Sequence, residues 1–149
     1  MTDRVDFYIL KSAAPKQRFK VACRLAEKAY LQDLKVVILQ DNLSDARALD
    51  ELLWTFDERS FVPHQIVTET GFDAATPVHL TVESATMPAA DLLLNLTDRL
   101  PSGWERYARV AEIIDTDEER RRLGRERFKA YRDQKVTLDT HQLDGSAEV

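Results

Sequence analysis

Seven Lys/Arg side chains stand between Arg120 and Arg132 against a single acid, Glu126, a local balance of +6 in a chain whose net charge is −5. The remainder therefore carries −11. Arg121, Arg125, Phe128, Lys129 and Arg132 recur at i, i+4, i+7, i+8 and i+11, one stripe of a helix. Like charges at that spacing repel by a few tenths of a kcal/mol per pair, roughly. Dipole compensation favours cations in a last turn, which covers Lys129 better than Arg121. A merely solvated basic face is the plain alternative, but an anionic partner accounts for the stripe better. Phe128 among the cations asks that partner to carry an apolar group as well. Arg127 is expected on the opposite side of the same helix.

A second cluster, Trp54, Phe56, Phe61, Val62 and Pro63, falls within ten residues. Such side chains either close one end of a core or anchor a partner, and aromatic residues in numbers are typical interface anchors. Catalytic chemistry is hard to assemble. His64, His79 and His141 lack the short His spacings of a metal site, so no metal is expected. Cys23, the one cysteine, lies on an apolar helical face and reads as core. The four glycines, Gly71, Gly103, Gly124 and Gly145, are too scattered for a phosphate loop, a dinucleotide fingerprint or a nucleophile elbow. No cofactor is expected, and no enzyme.

The elements that carry these residues follow from pattern. Val5 to Leu10 has strand composition. Pro15 opens a helix whose apolar face is Phe19, Ala22, Cys23, Ala26 and Tyr30. Val36 to Leu39 is a strand covered on both faces. Ser44 is expected to cap a second helix with Ala46, Leu49, Leu52 and Leu53 inward. Trp54 to His64 reads as a structured loop and Gly71 to Pro77 as a turn. Val78, Leu80 and Val82 alternate with a wetter face, His79, Thr81 and Glu83. Leu92 to Leu96 is a further strand, and Arg109 to Ile114 reads as another, although Trp104, Tyr107, Ala108 and Ala111 also fit a helical period. Thr116 and Glu119 have capping-box spacing at the start of the basic helix. From Val136 onward the chain is polar and is expected to fray. The alternation of strand and helix implies an α/β domain with a mostly parallel sheet. At 149 residues, 44% hydrophobic and 32% charged, one soluble domain is expected. The N-terminus has no signal-peptide character, so a cytoplasmic location is expected.

Two stretches carry a resemblance. Leu49-Asp50-Glu51-Leu52-Leu53-Trp54 with Ser60-Phe61-Val62-Pro63-His64, and then Gly124-Arg125-Glu126-Arg127-Phe128-Lys129-Ala130-Tyr131-Arg132, resemble the chi subunit family of bacterial DNA polymerase III holoenzyme. The order of elements matches over about residues 1–140, leaving 141–149 as a polar tail. The resemblance implies a Rossmann-like, three-layer α/β domain without nucleotide binding or catalysis. It also implies two partners. Trp54, Phe61, Val62 and Pro63 would lie in or near a surface for the psi subunit of the clamp loader. Arg121, Arg125, Phe128, Lys129 and Arg132 would bind the acidic, proline-phenylalanine C-terminal tail of single-stranded DNA-binding protein. Phe128 stands where the family often has tyrosine, and the segment between Asp115 and Leu123 is shorter than in well-known members.

The function expected is thus a non-catalytic adaptor of the clamp-loader complex, linking it through psi to coated single-stranded DNA. Direct nucleic-acid binding through the basic helix is the alternative, opposed by the −11 carried by the rest of the chain. No membrane partner is expected.

Overall fold

The computed structural model describes residues 2–12, 14–83 and 87–143. Chain order is β1 (Arg4–Ile9), α1 (Pro15–Leu31), β2 (Val36–Gln40), α2 (Leu43–Thr55), β3 (His64–Ile66), β4 (Val78–Val82), β5 (Leu92–Asn95), β6 (Arg109–Ile114), α3 (Glu118–Asp133) and β7 (Thr137–Gln142), with a 3-10 turn at Trp104–Arg106. The strands form one sheet in the order β3-β4-β2-β5-β6-β1-β7, and every strand pair is parallel. Parallel strands need crossovers. Helix α1 carries the chain from β1 to β2, α2 from β2 to β3, and α3 from β6 to β7.

Two apolar layers sit on the two faces of the sheet. One gathers Val21, Ala22, Leu25 and Ala26 of α1 and Leu49 and Leu53 of α2 against Ile38, Leu80 and Leu94. Cys23 is buried there, and its burial pushes the thiol up to about 12. The other gathers Tyr131 of α3, Trp104 and Tyr107 against Val5, Phe7, Val37, Leu39 and Leu93. Each fully buried Leu or Ile contributes about 1.5–3 kcal/mol by leaving water. The α/β class with a parallel sheet, expected from pattern, and its three layers, implied by the resemblance, are what form.

Several local expectations are corrected. The α2 cap is Asn42, whose side chain accepts from the Asp45 amide at 2.8 Å, and Ser44 lies inside the helix. The α3 cap is Asp117, which accepts from the Arg120 amide at 3.0 Å, rather than Thr116. Carboxylate and amide caps satisfy the same orphan donors as hydroxyls, so the choice falls to whichever reaches the first turn. Trp54 belongs to the last turn of α2, and His64 starts β3, so the expected loop is shorter at both ends. His79 and Thr81 are buried rather than wet, because β4 is interior to the sheet. The largest correction is β7. Thr137 to Gln142 pair in parallel with β1, and the Leu143 amide donates to the Ile9 carbonyl at 2.8 Å. The expected fraying is absent through Leu143, and residues 144–149 lie outside the described residues.

Candidate interaction surfaces

Helix α3 is fastened to the sheet along one face, and that fixes which cations remain free. Asp115, at the end of β6, receives two hydrogen bonds from the Arg120 guanidinium, both at 2.9 Å. Burial tends to raise the Asp115 carboxyl, but Arg120 and the Asp117 amide outweigh it and hold it below its usual value. The Arg121 Nε donates to the Asp115 carbonyl at 3.1 Å. Arg122 pairs with Glu119 and Glu126. Arg127, expected on the side of the helix opposite the stripe, is 5% exposed and donates to a Glu112 carboxylate at 3.1 Å. Tyr131 donates to the other Glu112 oxygen at 2.7 Å, and the Asn95 amide adds two further donations. Burial pushes the Glu112 carboxyl up, against the pull of Arg127, Asn95 and Tyr131.

What is left is orderly. Arg125, Lys129 and Arg132 are exposed and form no ion pair among the described residues. They stand at i, i+4 and i+7, so they share a stripe beside the fastened face. Next to them lies a groove of roughly 390 Å³. Arg121, Gly124, Arg125 and Phe128 line it from α3, Phe7, Ile9 and Ile114 from β1 and β6, and Thr140 and Gln142 from β7. Phe128 is held by an edge-on contact with Phe7, ring centroids 5.2 Å apart. Gly124 has a specific role. A Cβ there would meet Ile114 Cδ1 at 2.8 Å, so any larger residue would require the end of the Ile114 side chain to shift.

The structure thus brings Arg121, Arg125 and Phe128 together at one groove and places Lys129 and Arg132 on the same row beyond its lining. Sequence reasoning missed its far wall, because Thr140 and Gln142 sit on the strand that was expected to fray. The β-branched run Val136-Thr137 before Leu138 is the available signal for that strand.

The aromatic cluster divides differently. Trp54 and Phe61 are 53% and 62% exposed, with ring centroids 5.5 Å apart. His64, packed at 4.7 Å from Trp54, ties this loop to α2 through contacts with the Val62 carbonyl at 2.6 Å and the Asp50 carbonyl at 3.1 Å. Pro63 is half-buried. Val62 departs from the expectation. At 1% exposure it is part of the α1–α2 core, which leaves Trp54, Phe61 and Pro63 as the surface.

No group of three or more His, Cys, Asp or Glu side chains that could hold a metal occurs among the described residues. No helix among them is long and apolar enough to cross a membrane.

The fold recurs in solved structures of low sequence identity. The structure is similar to T4 UvsW with a TM-score of 0.69 at 10% identity, covering 97% of this chain and 42% of that one. It is also similar to the C-terminal domain of the DEAD-box protein Dbp5, with a TM-score of 0.62 at 11% identity, covering 94% and 91% of the two chains. These likenesses concern the fold alone. Sequence relatives are more specific. The chain is 39% identical over 140 residues to the DNA polymerase III subunit chi of Pseudomonas aeruginosa, covering 94% of this chain and 96% of the relative. It is 28% identical over 144 residues to the subunit of that name from Haemophilus influenzae, covering 96% and 99%. It is 27% identical over 122 residues to that from Escherichia coli, covering 81% and 82%. The family described as DNA polymerase III chi subunit, HolC, matches residues 1–139. With residues 1–139 matched by the family and 39% identity to a relative over 140 residues, this protein belongs to the DNA polymerase III chi subunit family.

Proposed function

We propose that this accessory subunit of the replicative polymerase is a non-catalytic adaptor. It links the clamp-loader complex, through psi, to the acidic C-terminal tail of single-stranded DNA-binding protein. The observation that carries the reading is the groove beside α3, an apolar floor flanked by cations that form no ion pair among the described residues. Arginine forks suit carboxylates, and the floor around Phe7, Ile114 and Phe128 suits a terminal phenylalanine. The second surface, Trp54 with Phe61 and Pro63, is the counterpart for psi. A large exposed aromatic pair held rigid by His64 is what an interface anchor requires.

Reconstitution tests the linkage. Purified protein, psi and a fluorescent tail peptide are mixed and resolved by size exclusion. The adaptor reading predicts one ternary peak in which peptide and psi co-elute with this subunit. Mutual exclusion of psi and peptide would contradict it, since a linker must hold both at once. A parallel run with labelled single-stranded DNA, predicted to elute free, separates the adaptor from a direct nucleic-acid binder.

A further inference from the structure

The groove does not end at its apolar floor; it opens onto the last strand of the sheet. Strand β7 pairs with β1 only, and no strand lies beyond it among the described residues. The Leu143 amide points inward to the Ile9 carbonyl. Backbone groups of successive strand residues point to opposite sides. The amides and carbonyls of Leu138, Thr140 and Gln142 are therefore directed away from β1, where a further strand would meet them. An open edge of this kind is a template for an added chain.

The charges on α3 match such a chain in length and direction. Arg121, Arg125 and Lys129 are four residues apart, which is about 6 Å of rise per step along a helix. Alternate side chains of an extended peptide repeat at about 6.6–6.8 Å on one face. The groove lies at the carboxyl ends of β1 and β7, by Ile9 and Gln142, and under the first half of α3. Lys129 and Arg132 lie in its second half, toward the start of β7. A peptide whose terminal apolar residue fills the groove would run from the Thr137 end to the Gln142 end of β7, parallel to it. That is the orientation of every other pair in the sheet.

We infer that an acidic peptide docks here as an eighth, parallel strand on the open edge of β7, its alternate carboxylates facing the cations of α3 and its terminal apolar side chain in the groove. This rests on the tail-binding reading above and adds the main-chain half of recognition. Side-chain charges then select the peptide, while the strand edge fixes its direction and register.

Residue-resolved amide hydrogen exchange tests it on the full chain. The probe is a synthetic decapeptide with aspartates at alternate positions and a C-terminal phenylalanine, with saturation verified by fluorescence anisotropy. Exchange at Leu138, Thr140 and Gln142 is expected to slow at least tenfold with peptide, while Thr137, Asp139 and His141, already paired to β1, change little. Thr140→Pro removes an outward amide that β1 does not use, a substitution tolerated at sheet edges. It is expected to weaken the peptide about tenfold, and clearly more than Thr140→Val, which changes the groove-lining side chain but keeps the outward amide. Saturation without slowing would overturn the inference and leave the tail-binding reading standing. Absence of binding would overturn both. Slowing that follows protein concentration without peptide would assign the edge to a second copy of the chain and overturn it too.

Discussion

Arg127 Nε and Glu112 Oε1 lie 3.1 Å apart with both side chains withdrawn from solvent, while Arg125, two residues away, is exposed and forms no ion pair among the described residues. Neighbouring arginines on one helix thus serve opposite ends, one the interior and one the surface. Removing one partner of a buried pair strands the other, at a cost of about 3–5 kcal/mol. Arg127→Ala is therefore expected to lower stability by that amount in urea denaturation. Arg125→Ala is expected to stay within about 0.5 kcal/mol of the parent, as surface changes do. Equal effects would contradict this division.

The aromatic loop divides in the same way. Phe61→Ala is expected to leave stability nearly unchanged and to weaken assembly with psi by about 2 kcal/mol or more, the loss typical of an anchor. Val62→Ala is expected to lower the urea midpoint through its loss from the core, by about 1–3 kcal/mol, with psi affinity preserved once folded. Calorimetric titration of psi into each variant distinguishes them, and an unfolded Phe61→Ala protein would show that Phe61 is core after all.

Acid stability should carry the signature of Asp115. Its carboxyl is held below the ordinary 3.8, since hydrogen bonds from Arg120 and the Asp117 amide outweigh burial. A carboxylate depressed in the folded state adds stability above its unfolded value, and that stability is lost as pH falls through the folded one. Asp6 shifts the same way: burial raises it, but His141, Arg109 and Arg4 together lower it further. Stability is thus expected to decline below about pH 4. Asp115→Asn should lower stability by about 2 kcal/mol at pH 7, the scale of hydrogen bonds to a charged group, and make the acid decline shallower. Urea midpoints from pH 2.5 to 7 measure both, and an unchanged acid slope in the variant would count against the assignment.

Nucleotides are expected not to bind, although the fold places a crevice at the carboxyl ends of its strands, where α/β proteins commonly bind ligands. Here that crevice is lined by Asp41, Asp45 and Asp98 beside Arg18, Gln40 and Arg120. Burial and then the neighbouring Asp98 raise the Asp41 carboxyl, the mark of crowded negative charge. Phosphate would meet carboxylates rather than a glycine-lined turn. Titration calorimetry with millimolar ATP, GTP and NAD should give only heats of dilution, and a saturable isotherm would refute the point.

Much of this was legible in the residues because the patterns were long. The Val36–Leu39 run, the apolar face of α1 and the stripe from Arg121 to Arg132 each repeat enough to declare their element and side. Single residues were not legible in the same way. Nothing in the alternation of charges shows that Arg127 turns to Glu112, because that depends on where β6 passes beneath α3. Val62 and Phe61 are adjacent, and only the loop's exit into β3 decides which turns inward. Strand β7 was missed because it carries one apolar residue, the partly buried Leu138, so its pairing comes from β1 rather than from its own hydrophobic pattern.

The central claim is that the α3 groove reads an acid-rich peptide together with its apolar end. Fluorescence anisotropy of a labelled single-stranded DNA-binding-protein tail tests it most directly, at two salt concentrations and against two controls, a tail lacking the terminal phenylalanine and a scrambled peptide of equal charge. Exposed pairs give about 0.2–1 kcal/mol each and are screened over about 8 Å at physiological ionic strength. Modest, salt-sensitive binding is therefore predicted, weakened by Arg125→Ala and by loss of the phenylalanine even with every acid retained. Equal affinity for the scrambled peptide would show that the helix is a nonspecific basic face and would contradict the account.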